Sequence, residues 1–452
     1  GFVSNQVQEL GENRVRLTVE VSPDQVKHAV EHALSDLAES VKIPGFRSGK
    51  IPQQVLVSRL GKDRIYREAV DSHIGGWFWS AASRNRVRPV AEPEYEFELP
   101  GTADDGWRFA ATVEVQALPE IGDWTQLQVP RVEAAVPPEA IEAELEALQE
   151  SVAELVPANG RPAREGDTLV VDLVDPAGEA QRDTVVELGA GRLTGELEAA
   201  LVGASVGEKK QVSFARGDGS NGTVEVTVQE VQEKILPPLD DELARAASEF
   251  DTLDELRESI EGTLRAQLDE EIDAAYRVAA VDALVEESKV QPAPPLVSSR
   301  AADLLTGFVR SLERRGISLE TYLAASGANP QEIQRQFVLE AAVSIARELA
   351  LEALAERAGI EVSDDELEAY LREEAQEAGE DADALVEDVW AHGQQESIRE
   401  DLRLRAALDR LAADVTPIAP DLAAARDKLW TPDKEKPEGE TKLWIPGSKE
   451  PE

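Results

Sequence analysis

The 452-residue sequence has no cysteine, no methionine and only four histidines. Without Cys there is no disulfide, no thiolate nucleophile, no iron–sulfur cluster and no Cys-type zinc site. No Ser/His/Asp constellation can be assembled with any specificity from four His. Positive charge is also scarce: 46 Lys+Arg stand against 90 Asp+Glu, a net charge of −44. Such a surface repels phosphate, which argues against generic binding to nucleic acid or anionic membrane. No apolar run approaches the roughly 18–20 residues of a membrane span. The opening GFVSNQVQELGENR lacks a basic stretch followed by an apolar one. A soluble cytoplasmic protein without a secretory signal is therefore expected. No Walker lysine loop occurs, so ATP-driven work is not expected, and no cofactor is implied.

Apolar residues make up 42% of the chain, enough to bury cores. The length suits two to four domains at roughly 100–200 residues each. The acidity is uneven. Residues 1–100 carry a net charge of −1, leaving −43 on residues 101–452. Within 42–88, ten cations (Lys42, Arg47, Lys50, Arg59, Lys62, Arg64, Arg67, Arg84, Arg86 and Arg88) face only Asp63, Glu68 and Asp71, a local +7. A basic island on an acidic chain is either a solvated face or a docking surface for something anionic.

The pattern predicts an α+β multidomain protein. Val15, Leu17, Val19 and Val21 alternate with polar residues as in a half-buried strand. Ser22-Pro23 then opens a helix over 24–40. A second helix is read over 63–83, and strands over 94–99 and 107–116, giving an α+β domain over 1–116. Residues 117–160 read as a linker or part of a helical domain, with a helix over 138–154. From about 161 to 235, β-rich runs alternate with Gly-containing turns, a small mainly-β module. Residues 236–417 are almost wholly helical in period. Thr252-x-x-Glu255 and Ser363-x-x-Glu366 form capping boxes there, Gly316 and Gly359 serve as C-terminal caps, and Asn329-Pro330 opens a helix. Residues 418–452 read as a disordered tail in which KLWTP and KLWIP recur 14 residues apart.

Several short motifs lead nowhere. His28-Ala29-Val30-Glu31-His32 matches H-x-x-E-H on a helix, but a third metal ligand would have to be a carboxylate, and two solvent-facing histidines are the expected reading. Gly189-x-Gly191-x-x-x-Gly195 has the wrong spacing for a dinucleotide fingerprint. Arg216-Gly217-Asp218 is read as a chance tripeptide in a hairpin.

Residues 41–52, VKIPGFRSGKIP, carry more. Gly45 and Gly49 build a turn that displays the Phe46 ring beside Arg47 and Lys50, with Pro44 and Pro52 stiffening the flanks. An apolar anchor ringed by cations suits a surface that is part protein and part phosphate. The run Gly45-Phe46-Arg47-Ser48-Gly49-Lys50 resembles the GFRxGK signature of the bacterial trigger factor family. The resemblance covers about residues 5–415, including the domain order. It implies a ribosome-binding domain, an inserted FKBP-like module and a helical chaperone domain. It further implies an ATP-independent chaperone docked at the ribosomal tunnel exit, on a large-subunit protein and adjacent RNA, partly ribosome-bound in the cytoplasm. Such a protein binds nascent and unfolded polypeptides, assists folding and export, and has no membrane partner. Family members can dimerise off the ribosome. By position, Gly45, Phe46, Arg47, Ser48, Gly49 and Lys50 inherit the docking role.

The same resemblance implies peptidyl-prolyl cis–trans isomerase activity for the 161–235 module, in an aromatic-lined pocket. In this chain the equivalent positions are Leu173, Leu193, Thr194, Leu197 and Val224, and the module's only aromatic is Phe214. A weak or lost activity is expected, and no catalytic residue is assigned. A chaperone without ATP also needs apolar surface for clients. Leu304, Leu305, Phe308, Val309 and Leu312 on one helix, and Ile333, Phe337, Val338, Leu349 and Leu351 on the next, are the candidates. Two other readings stay open, a folding isomerase acting mainly off the ribosome and a periplasmic isomerase-chaperone.

Overall fold

The computed structural model describes residues 6–191, 193–216 and 219–422. Arg192, the Gly217-Asp218 pair of the hairpin tripeptide and both KLW repeats lie outside the described residues. The chain divides into two units: residues up to Val132 together with those from Ala274 onward, and Glu133–Asp273.

The first unit opens with β1 (Gln6–Gly11), β2 (Arg14–Val21), α1 (Pro23–Ser40), α2 (Gln53–Leu60), α3 (Lys62–Arg84), β3 (Glu94–Glu96) and β4 (Trp107–Glu114). The strands form an antiparallel sheet in the order β1-β2-β4-β3. Alternation along β2 places Val15, Leu17, Val19 and Val21 inside, against Phe78, Phe109 and Val113. Ser22 caps α1 in a full capping box with Gln25. The strand expected over 94–99 ends at Glu96, and α2 and β1 were not foreseen. β1 turns into β2 through Glu12 and Asn13, both at positive φ.

After a short 3-10 turn at Trp124–Gln126 comes β5 (Gln128–Pro130). The second unit then holds α4 (Pro138–Ser151), β6 (Glu154–Pro157), β7 (Thr168–Val174), β8 (Ala180–Glu187), α5 (Gly195–Leu201), β9 (Lys209–Ala215), β10 (Asn221–Ile235) and α6 (Asp241–Ala247). Its antiparallel sheet runs β6-β10-β7-β8, with β9 also on β10. Leu197 and Leu201 of α5 close the core over Leu169, Val171, Val226 and Val228. The buried Asp167 pins the entry to β7, accepting two hydrogen bonds from the Arg161 guanidinium (2.6 and 2.8 Å) and one from the Arg164 amide (3.0 Å).

α7 (Leu253–Ser288) leads to α8 (Pro294–Arg314), α9 (Leu319–Ser326), α10 (Pro330–Ala358), α11 (Asp364–Ala378), α12 (Ala382–Ala391), α13 (Gln395–Asp414) and β11 (Thr416–Ile418). The caps read at Asn329, Gly359 and Ser363 are present. At Ser363 and Thr252 only half the expected box forms: each hydroxyl accepts the amide three residues on, and at Thr252 the Glu255 carboxylate takes the Asp251 amide instead. Leu284, Leu351, Leu354, Ala407, Leu408 and Leu411 make the helical core, joined by Trp124 and Val129. β5 and β11 pair in parallel. One stretch of α10 is unusual, because Ser344, Arg347, Glu348 and Glu352 are all buried in it. Asp282 takes a bidentate bond from Arg347 (2.9 Å each), and Glu348 one from Arg300 (2.8 and 3.0 Å). Among the described residues no helix is long and apolar enough to cross a membrane.

Candidate functional site

The 41–52 loop is held at both ends and free in the middle. Ile43 and Ile51 are buried against Leu34, Leu37, Leu56 and Ile65. Between them the chain turns twice, at Gly45 (φ 93°) and Gly49 (φ 79°), a backbone region that L side chains rarely enter. The Gly49 amide donates to Ala38 O at 2.8 Å, tying the loop to the end of α1. The Phe46 amide donates to Ile43 O (3.2 Å) and the Lys50 amide to Arg47 O (3.0 Å). These bonds satisfy the backbone and leave the tip outside. Phe46 is 43% exposed. Arg47 and Lys50 are exposed, and neither has a carboxylate partner among the described residues. Sequence reasoning named the tip but missed the two isoleucine anchors. Their signal was present in Ile-Pro at 43–44 and again at 51–52, bracketing the turn.

The basic island as a whole needs correcting. Arg86 and Arg88 do not belong to a free surface. Arg86 donates to both oxygens of Glu361 (3.0 and 2.8 Å) and to Glu400 (3.0 Å). These carboxylates hold its guanidinium above the usual range, and Arg86 in turn holds the Glu361 carboxyl below its own. Arg88 bonds Glu352 and lies 3.8 Å from Glu348. The reason is the polar stretch of α10, whose buried Glu352 needs a counter-charge. The other eight cations of the island are exposed.

Four of the five isomerase positions share the module's hydrophobic core. Leu197 is buried in the module's core, with Leu173, Leu193, Phe214 and Val224 half-buried against it, and Thr194 is exposed. Only Leu193 of the five lines the recess of about 370 Å³ in this unit, beside Leu155, Thr168, Thr184, Val186 and Lys234. The Phe214 ring lies over its cross-strand partner Gly222, where a Cβ would meet it at 2.8 Å.

The client candidates divide likewise. Leu304, Leu305, Phe308, Val309, Ile333 and Phe337 are half-buried, and Phe308 packs edge-on to Tyr322 (5.2 Å) and against Phe337 (5.6 Å). Leu312, Leu349 and Leu351 are corrections. They are 5%, 0% and 0% exposed, because α8 and α10 pack on each other and α10 enters the helical core. Val338 is exposed as expected, and Leu339 (67%) and Val343, not foreseen, are exposed near it on α10.

Against this geometry, comparison with known proteins gives a consistent result. The family described as bacterial trigger factor protein (TF) matches residues 3–148, and its C-terminal counterpart matches residues 252–413. The trigger factor of Moorella thermoacetica is 31% identical over 92% of this chain and 95% of its own. That of Shouchella clausii is 31% identical over 88% and 95%, and that of Halothermothrix orenii 30% over 89% and 97%. The chain belongs to the trigger factor family of ribosome-associated chaperones.

Proposed function

We propose that this chain docks at the ribosomal tunnel exit through Gly45, Phe46, Arg47, Ser48, Gly49 and Lys50, and holds emerging polypeptides without ATP. The carrying observation is an exposed phenyl on a rigid turn beside two uncommitted cations. Phe46 fills an apolar recess on a ribosomal protein, while Arg47 and Lys50 meet carboxylate or phosphate. In this reading residues 1–116 are the docking domain. Residues 236–417, with 117–160, are the chaperone body, and clients meet Leu304, Leu305, Phe308, Val309, Ile333 and Phe337 as those helices part. The protein is cytoplasmic and partly ribosome-bound, with a homodimer as its form off the ribosome.

The strongly acidic body keeps apolar surface soluble and stands off ribosomal RNA, which leaves the near-neutral first domain as the tether. Tethering raises the effective concentration of the body around each emerging segment. Residues 161–235 serve mainly as an auxiliary arm with weak or no isomerase activity. Their pocket positions are aliphatic, and Phe214, the single aromatic, is occupied in covering Gly222.

Co-sedimentation with ribosomes tests the reading. Phe46→Ala with Arg47→Ala should release the protein while leaving its prevention of aggregation in solution intact. Unchanged ribosome affinity would defeat it. A proline-peptide isomerisation assay with family-typical turnover would restore the enzyme reading.

A further inference from the structure

The helix α1 and the helix α3 approach closely because small side chains meet between them: Ala29 and Ala33 on one, Ala69 on the other, all at most 2% exposed. Above this contact stand three of the chain's four histidines. His28 and His32 lie one turn apart on α1, with ring centres 6.5 Å apart. His73 comes from α3, 6.4 Å from His28 and 5.4 Å from His32. The α1 pair thus has a third imidazole beside it where a carboxylate was expected, while His28 and His32 face solvent as expected. Forty residues of intervening chain hid His73 from any local spacing argument.

One of the rings is already oriented. Nδ1 of His73 lies 2.9 Å from Ala69 O, and with Nδ1 as the donor its Nε2 lone pair is left open. His32 has the Asp36 carboxylate beside it, 3.4 Å from Nδ1. An imidazole tied back through one nitrogen to a carbonyl or carboxylate is the arrangement that metal-binding histidines carry. The ring spacing is also close. Two imidazoles on one tetrahedral ion, with metal–nitrogen bonds of about 2.0–2.1 Å, have centres roughly 5 Å apart. As they stand, the rings pack on one another. Among the described residues no three donor groups yet surround a metal-sized point. His28 and His32 are exposed, so a movement of roughly 1 Å per ring is open to them.

We propose that His28, His32 and His73 form a binding site for one imidazole-preferring divalent transition-metal ion, which staples α1 to α3. Neutral nitrogen ligands without a thiolate suit Zn²⁺, Ni²⁺ or Cu²⁺ and not the oxygen-seeking Mg²⁺ or Ca²⁺. The consequence is mechanical, because the docking loop leaves directly from the end of α1.

The test is a Zn²⁺ titration of the full chain, ¹³C-labelled at histidine, in excess Mg²⁺ to occupy the many carboxylates. His392, on α12's C-terminal side beside Asp388, is the internal control, since it has its own carboxylate but no second imidazole. The signals of His28, His32 and His73 should move together and saturate at one ion per chain, with His392 unmoved. Removing an outer-shell partner usually weakens a metal about 10–100-fold, so His73→Gln should weaken Zn²⁺ at least tenfold. It should also abolish the Zn²⁺-dependent rise in Tm that binding to the folded state gives. His28→Gln, at an exposed position, should do the same without touching the helix contact. The proposal is overturned if His392 responds in parallel, or if both variants bind Zn²⁺ like the parent chain.

Discussion

The tip of the 41–52 loop and the residues that follow α3 belong to one basic stretch, yet their cations meet opposite fates. Arg47 and Lys50 project from a turn and form no ion pair among the described residues. Arg86 and Arg88, beyond α2 and α3, are taken up by Glu352, Glu361 and Glu400. A net charge counted along the sequence treats them alike. The difference teaches that a docking surface is defined by cations the molecule's own carboxylates leave alone. In a chain with 90 acidic residues those are the ones worth finding.

The comparison can be broken most decisively at Arg88. Arg88→Ala would strand Glu352, whose side chain is 3% exposed. Denaturant unfolding of the full chain should show a loss of about 3–5 kcal/mol, as for other broken buried pairs. A change within about 0.5 kcal/mol, the range of ordinary surface substitutions, would erase the contrast. Phe46→Ala and Arg47→Ala should behave in reverse. Stability stays within that same range, and ribosome affinity falls by about 2 kcal/mol or more, roughly 30-fold, as at other aromatic and arginine anchors.

Arg161 in the second unit extends the committed class. Its guanidinium holds the Asp167 carboxyl below the usual carboxylate range. A depressed folded value means that the stabilisation is complete above the unfolded value, about 3.9, and is lost as pH falls through the folded one. Asp167→Asn should therefore lower the unit's stability at neutral pH by about 1.5–3 kcal/mol and flatten its acid limb, followed by circular dichroism. The smallest effects sharpen the free class. Arg59→Gln, Arg64→Gln or Arg67→Gln should each lower the slope of log affinity against log salt for ribosomes by about 0.7–0.9 where it loses a phosphate contact. Arg86→Gln should leave that slope unchanged.

What was legible in the sequence is what rests on local physics. Ser22, Asn329 and Ser363 announce helix starts because a side-chain oxygen satisfies an amide two or three residues on. The alternation of Val15 to Val21 announces a strand with one face inside. The turn at 45–50 was legible for the same reason, since Gly45 and Gly49 supply positive φ within six residues. Elements of three to eight residues escaped: α2 lacks a side-chain cap, and β5 and β11 have three residues each. Nothing in the helical period of α10 marks Glu348 and Glu352 as interior, because their justification lies on Arg300 and Arg88, on other elements. His73 and the fate of Arg86 were hidden in the same way, as was the inward turn of Leu312.

The pairing of β5 with β11 bears on how this protein itself is made. Trp124 donates to Asp414 at 2.9 Å across 290 residues, and Val129 is wholly enclosed beside Leu411 and Val415. That seam cannot close until almost the entire described chain has left the synthesising machinery, and such distant pairings form slowly. The sheet and helices of residues 6–114 close on one another without it, and only the Arg86 and Arg88 ion pairs wait for the later helices. A newborn copy would thus complete its first sheet long before its body is shut, leaving its own half-built interior as the first unfolded polypeptide within its reach.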